Sequence, residues 1–359
     1  MIKIVSIVGA RPQFIKVKPI IDELKKKRIK HILIHTGQHY DYQMSKVFFD
    51  ELKIPKPNYN LEVGSSSHGK QTAMMLEKVE KVLFKEKPDI VIVYGDTNST
   101  LAGALAAVKL NIPVAHIEAG LRSFRKDMPE EINRVVTDHV STLLFCPTSN
   151  ALKNLKKEGV TKGAFFVGDV MLDVFKAGIR KIGQKIIKKL KLIPREYMLL
   201  TIHRQENTND SKVLIRMLRS LNECGNKIVF PVHPRTNSIL IKRPEYYKNT
   251  LGNLIFIKPV SYTEMLALES NAKMILTDSG GVQKEAYFFK VPCLTLRRET
   301  EWIETLGDGW NKTIGFEPKS IKCALEFNKL SFNQKPLFGG GHSARSIVKI
   351  IVQYFRRVE

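Results

Sequence analysis

Short apolar runs of strand length alternate with longer helical patterns along this 359-residue chain, and that alternation is the signature of parallel βαβ units. Strands are expected at Ile2–Val8, His31–His35, Asp89–Tyr94, Val114–Ile117, Leu143–Cys146, Tyr197–Ile202, Lys227–Pro231, Leu254–Ile257 and Lys273–Thr277. Helices are expected between them, among others at Phe14–Lys26, Gly69–Lys85, Ser99–Lys109, Glu130–Thr142 and Ser261–Glu269. The pattern breaks near Gly168–Asp173 and then resumes, so two Rossmann-like α/β domains are expected. The last helix, Ser343–Phe355, can pack on either of them.

The segments leaving the strands carry the functional information. The first strand runs into Gly9-Ala10-Arg11-Pro12-Gln13, the third into Gly95-Asp96-Thr97 and the fourth into Glu118-Ala119-Gly120. In the second half the strands run into His203-Arg204, His233-Pro234-Arg235 and Asp278-Ser279-Gly280-Gly281. Open parallel sheets bind ligands at the carboxyl ends of their strands. Two such edges facing each other are expected to form one interdomain cleft.

Composition narrows the function classes. The formal charge is +23, which invites a nucleic-acid reading, but no zinc finger, ribonucleoprotein motif or aromatic-interleaved basic strip accompanies it. The cations of Lys176–Lys191 fall on what reads as one amphipathic helix with Ile179, Ile182, Ile186, Ile187 and Leu190 as its apolar side. The cysteines, Cys146, Cys224, Cys293 and Cys323, are too far apart for a CxxC pair, and a reducing cytoplasm is expected. Cys146 and Cys293 sit in apolar contexts as core residues. No signal peptide is read at the N-terminus. The most apolar stretch, Leu101–Ile117, is interrupted by Lys109, Asn111 and Pro113, so no membrane span is expected.

Several constellations bear chemistry. Ser279, Gly280 and Gly281 open a helix, where backbone N–H groups and the helix dipole favour a phosphate. Glu285, one turn further on, is placed to accept both hydroxyls of a ribose. Neither this turn nor Gly9–Pro12 is GxGxxG, which disfavours a nicotinamide-dependent dehydrogenase. Arg11 and Lys16 flank the first strand–helix turn, where the Arg11 guanidinium can act as a planar anion clamp or the two can sit in surface salt bridges. Asp96, Glu118 and Glu130 are three acids from consecutive strand-end segments, the raw material of general acid–base catalysis. Arg134, four residues after Glu130, is placed to hold that carboxylate. His203 and His233 end two strands of the second half and suit phosphate recognition or helix capping.

The ordered motifs GARPQFIK, TGQHYDYQM, VYGDTNST, HIEAGLRSF, MPEEINR, GDVM, HRQENT, VHPRT, TDSGGVQKEA and RETEW resemble the non-hydrolysing UDP-N-acetylglucosamine 2-epimerases over essentially the whole chain. The resemblance implies a GT-B fold, with residues 1–168 and the crossing-back helix 343–359 as one domain and 169–342 as the UDP-binding other. It implies an active site between the domains, a cytoplasmic homodimer, no metal, no cofactor, and no nucleic-acid or membrane partner. It further implies that Asp96, Glu118 and Glu130 are the acid/base carboxylates, supported by Arg134 and His203. Arg11, Lys16, His233, Ser279, Gly280, Gly281, Glu285 and Trp302 would bind substrate. The implied reaction interconverts UDP-GlcNAc and UDP-ManNAc by anti-elimination of UDP to a 2-acetamidoglucal and re-addition, feeding cell-surface polysaccharide synthesis. Two positions depart from the better-known members. Trp302 stands where they carry a substrate-contacting arginine, and Asp41 where bacterial members carry a Gln or Glu of an allosteric UDP-GlcNAc site. Allosteric activation by UDP-GlcNAc is therefore not expected. GARPQ together with Thr300-Glu301-Trp302 looks like the subgroup acting on UDP-2,3-diacetamido-2,3-dideoxy-glucuronate, the alternative substrate. A GT-B glycosyltransferase and a non-catalytic UDP-sugar binder are more distant alternatives.

Overall fold

A computed structural model of the chain describes residues 2–38, 49–50, 52–180, 182–242, 250–307, 309–317 and 334–356. Asp41 and Cys323 lie outside them.

The chain divides into two compact units, Met1–Ala177 with Pro336–Glu359, and Gly178–Lys335. The first is built on β1 (Lys3–Val8), β2 (Lys30–His35), β3 (Tyr59–Asn60), β4 (Ile90–Tyr94), β5 (Val114–Ile117), β6 (Leu143–Cys146) and β7 (Ala164–Phe166). They form a seven-stranded sheet in the order β3-β2-β1-β4-β5-β6-β7, and every pairing is parallel. All five residues of β4 are fully buried, which is why it reads as an unbroken apolar run: helices cover both faces of a central parallel strand. On one face Phe14, Val17, Ile20 and Leu24 of the Arg11–Lys26 helix join Ile347, Val348 and Ile351 of the Ser343–Arg356 helix. On the other, Val79, Val82 and Leu83 of the His68–Glu86 helix pack with Ala104, Ala106 and Ala107 of the Asn98–Lys109 helix.

The second unit holds β8 (Tyr197–Thr201), β9 (Lys227–Pro231), β10 (Thr250–Leu251), β11 (Leu254–Ile257), β12 (Met274–Thr277), β13 (Cys293–Thr295) and β14 (Asn311–Thr313). Their order is β10-β11-β9-β8-β12-β13-β14; only the edge strand β10 runs antiparallel to its neighbour. In the first sheet the strand order reverses between β1 and β4, in the second between β8 and β12. Those reversals open the crevices in which doubly wound sheets take their ligands. The segments that leave β1, β4, β8 and β12 are the four motifs starting at Gly9, Gly95, His203 and Asp278.

Two expectations need correction. The basic stretch is not one helix: Val170–Ile179 and Lys185–Lys189 are separate helices, with Ile179 exposed and Ile186 and Ile187 buried in the second core. The first unit also extends beyond residue 168. Val170 joins its core, and the Asp173 carboxylate accepts the N–H groups of Ser343 (3.0 Å) and Ala344 (2.8 Å), capping the C-terminal helix. Burial raises the Asp173 carboxyl, and the two N–H donors oppose that rise. Cys146 and Cys293 are core residues, as expected, and burial pushes both thiols up to about 12. Among the described residues no helix is long and apolar enough to cross a membrane.

Candidate active site

The first unit assembles its half of the site around Gly95. Lys16 Nζ donates to Glu118 Oε1 at 2.6 Å, and both side chains are less than a tenth exposed. A Cβ on Gly95 would stand 3.2 Å from that Nζ and 3.4 Å from that Oε1, and its φ is +64°. Glycine therefore lets the turn just before Asp96 pass close to the ion pair. Glu118 itself has φ +75°. A non-glycine residue in this region is strained by about 1–3 kcal/mol and is characteristic of functional positions. Gln13 ties the first turn to the Gly95 turn. Its Oε1 accepts from Gly9 N (2.7 Å) and Ala10 N (3.0 Å), while its Nε2 donates to Tyr94 O (2.8 Å) and Thr100 Oγ1 (3.0 Å). Arg11 begins the adjoining helix, half-buried.

Arg134 does not hold Glu130. One guanidinium nitrogen bonds Asp96 Oδ2 and another bonds Glu131 Oε2 at 2.6 Å. Glu131 is buried because it also accepts from Ser123 N (2.9 Å), Ser123 Oγ (2.9 Å) and Phe124 N (2.8 Å), holding the loop after Glu118. Asn133 Nδ2 donates to Asp96 O at 2.9 Å. Glu130 lies exposed in the first turn of the Pro129–Val140 helix, one turn ahead of Arg134. Glu118 thus packs beside Gly95, Asp96 follows it in the chain, and Glu130 belongs to the helix that holds Asp96.

A buried charge network lies beneath these turns, and no local pattern in the sequence announces it. His116 Nδ1 lies 2.7 Å from Asp138 Oδ1 and its Nε2 2.7 Å from Gly95 O. Both ring nitrogens thus lie within hydrogen-bonding distance of an oxygen. Asp138 also accepts from Gly120 N (3.0 Å) and Arg122 (2.7 Å), so one carboxylate ties the Gly95 turn to the Glu118–Gly120 turn. Burial alone would raise the Asp138 carboxyl; the charges and hydrogen bonds of His116 and Arg122 outweigh it and hold it below the usual range. A carboxylate depressed on folding stabilises above its unfolded value, about 4, and loses that contribution as the pH falls through its folded value. Asp138→Asn is therefore expected to cost about 3 kcal/mol at pH 7. Urea titrations should show the gap to the parent narrowing below about pH 4; a gap independent of pH would contradict the charged network.

The second unit assembles around Asp278, which is fully buried. Its carboxylate accepts from His203 N, Arg204 N (2.9 Å) and Asn207 Nδ2 (3.1 Å), closing the turn after β8. The rings of His203 and His233 lie 5.1 Å apart. His233 also caps the Pro234–Leu240 helix, its Nδ1 accepting from Arg235 N. Ser279 is the N-cap of the Gly280–Phe289 helix but makes no side-chain capping bond, and Gly281 follows in its first turn. A Cβ on Gly280 would meet Glu301 Oε1 at 2.5 Å and Trp302 Nε1 at 3.0 Å, so glycine is what this packing admits. Glu301 is paired with Arg297 NH1 at 2.7 Å and lies 3.5 Å from Arg204 NH2. Trp302 is buried, with Lys284 Nζ 3.8 Å from its ring centroid, a cation–π contact that fixes the segment after β13 onto this helix. Glu285 is buried one turn into the helix. Among the described residues no group of three or more His, Cys, Asp or Glu side chains is arranged to hold a metal ion.

Two Rossmann-like units, each with ionisable groups at its switch point and one with a glycine-rich helix start, form the frame of a nucleotide-binding α/β enzyme. The sequence matches the UDP-N-acetylglucosamine 2-epimerase family over residues 22–352. It is 47% identical to the UDP-N-acetylglucosamine 2-epimerase of Methanococcus maripaludis over 98% of both chains. It is 43% identical to the UDP-2,3-diacetamido-2,3-dideoxy-D-glucuronate 2-epimerase of Pseudomonas aeruginosa, over 98% of this chain and 99% of that one. The solved Methanocaldococcus jannaschii UDP-GlcNAc 2-epimerase, in complex with UDP-GlcNAc and UDP, superposes with a TM-score of 0.91 at 45% identity, covering 98% of this chain and 100% of that one. The chain belongs to the UDP-N-acetylglucosamine 2-epimerase family and is an isomerase.

Proposed function

We propose that the protein interconverts UDP-GlcNAc and UDP-ManNAc by eliminating UDP and adding it back. The observation that carries this reading is the Lys16–Glu118 pair packed against Gly95, with Asp96 next in the chain and held by Arg134. Proton abstraction beside a leaving group needs a carboxylate fixed in place, and a second acid to return the proton on the other face of the sugar. We assign these tasks to Glu118, Asp96 and Glu130, with Arg11, Lys16 and Arg134 neutralising charge around them.

The C2 proton passes to the base as the C1–O bond breaks, giving a 2-acetamidoglucal and UDP. The negative charge that develops on the diphosphate is met by His203, His233 and the helix start at Ser279, Gly280 and Gly281. Re-addition of UDP, with protonation on the opposite face of C2, completes the epimerisation. Elimination and re-addition leave every oxidation state unchanged, so the reaction itself calls for no redox cofactor. Trp302 is assigned to the substrate through its neighbour Gly280. The protein is proposed to act as a cytoplasmic homodimer supplying a polysaccharide precursor.

The second reading, UDP-2,3-diacetamido-2,3-dideoxy-glucuronate as substrate, is supported by the 43% identity to the Pseudomonas aeruginosa enzyme. Proton NMR in D₂O with each sugar tests both. Deuterium entering C2 and a manno signal rising to a plateau are expected with UDP-GlcNAc. Exchange confined to the diacetamido-glucuronate would transfer the assignment to that substrate, and exchange with neither would sink the epimerase chemistry.

A further inference from the structure

Behind the helix start of the second unit lies a pair of carboxyl groups that the mechanism leaves half unused. Glu269, on the Tyr262–Asn271 helix, is 0% exposed, and neither of its oxygens has a fixed donor among the described residues. It faces Glu285 of the Gly280–Phe289 helix, itself 5% exposed. The other ionisable groups around it are Tyr262 of its own helix, Tyr197 of β8 and Cys293 of β13. None is a cation. A lone carboxylate in such surroundings is far too costly to keep ionised, and burial, reinforced by Glu285, drives the Glu269 carboxyl well above its ordinary range. Glu269 is therefore the protonated member of the pair. If filling space were its task, an apolar side chain would do it without the cost of burying a polar group.

We infer that Glu269 is a positioning residue for nucleotide recognition: its carboxyl proton is donated to Glu285, leaving Glu285 as the carboxylate that accepts both ribose hydroxyls. This rests on the reading of Glu285 as the ribose acceptor. A carboxylate offers about four acceptor sites. The Glu269 O–H occupies an inner one, and the two ribose hydroxyls fill outer ones. Without the proton from Glu269, Glu285 has to bind a proton itself, and one of its acceptors becomes a donor that meets the ribose with the wrong polarity.

The test compares UDP with 2′-deoxy-UDP by calorimetry on the full chain, for the parent, Glu269→Gln and Glu269→Met. The parent is expected to prefer UDP by about 10-fold or more, since a site built around a hydroxyl penalises its loss. Glu269→Gln, whose amide N–H replaces the carboxyl O–H, should keep that preference. Glu269→Met should reduce it to about twofold or less while its unfolding temperature stays at or above the parent's. A Met variant that is stable and still discriminates overturns the role of Glu269, as does a Gln variant that loses discrimination alongside it. A parent that binds both nucleotides equally overturns the ribose reading of Glu285 itself, and with it this inference. The two failures are thus told apart by the parent alone.

Discussion

Glu118→Gln and Asp96→Asn are each expected to lower turnover by about 10³-fold while UDP binding stays within about twofold of the parent. General acid–base groups contribute roughly 10²–10⁴-fold; these two follow the neighbouring strands β4 and β5 and are assigned different protons, so neither can substitute for the other. UDP binding should survive because the residues assigned to the nucleotide, His203, His233 and Ser279–Gly281, belong to the second unit. Both replacements are isosteric and keep a hydrogen-bonding oxygen for Lys16 or Arg134. The measurements are C2 exchange in D₂O and calorimetric titration with UDP. Near-normal exchange in both variants would remove the carboxylates from the mechanism, whereas joint loss of exchange and UDP affinity would show that the substitutions disturb more than the chemistry.

Lys16→Met has the second large expected effect, and it falls on stability as well as activity. Lys16 and Glu118 are 8% and 9% exposed, so removing the ammonium strands a buried carboxylate beside Gly95. Breaking one side of a buried ion pair costs about 3–5 kcal/mol, whereas replacing both sides by neutral groups is often nearly neutral. The double variant Lys16→Met with Glu118→Gln should therefore be more stable than Lys16→Met alone, though equally inactive. A double-mutant cycle by urea denaturation reads the coupling directly. Additive losses would mean that the pair carries no net interaction and that Glu118 is held by the backbone around it.

Much of the fold and of the site is legible in the sequence. Apolar runs at β4 and β5 are long enough and buried enough to announce themselves, and the polar segments after them fall at or beside the switch point the strand order creates. Short strands such as β7, β13 and β14, three residues each, leave too little periodicity to be seen. The basic stretch after residue 176 reads as one helix because its apolar spacing fits one, while the chain breaks into two.

The partner of Arg134 is ambiguous for a related reason. Glu130 and Glu131 both lie within one helical turn of Arg134, four and three residues ahead of it, and local spacing ranks them equally. The choice of Glu131 is made by the N–H groups of Ser123 and Phe124, which reach that carboxylate only when the loop after Glu118 folds over the helix. His116 gives no local signal, because a lone histidine in an apolar strand resembles core filling. Its partner Asp138 is 22 residues away and its second acceptor is the carbonyl of a turn on another strand. Glu269 is equally silent, a polar residue on one helix whose neighbour, Glu285, lies on the next.

Periodicity and turn chemistry thus settled the parallel α/β architecture and the position of each motif at a strand end, and singled out Asp96, Glu118 and the glycine-rich helix start as candidates, because these depend on residues close together in the chain. Which carboxylate each cation holds, and which acid is protonated in the core, were decided only by tertiary structure. Charges and hydrogen bonds act through space over a few ångströms, and burial, which sets their strength, belongs to a residue's neighbours in the fold rather than in the sequence.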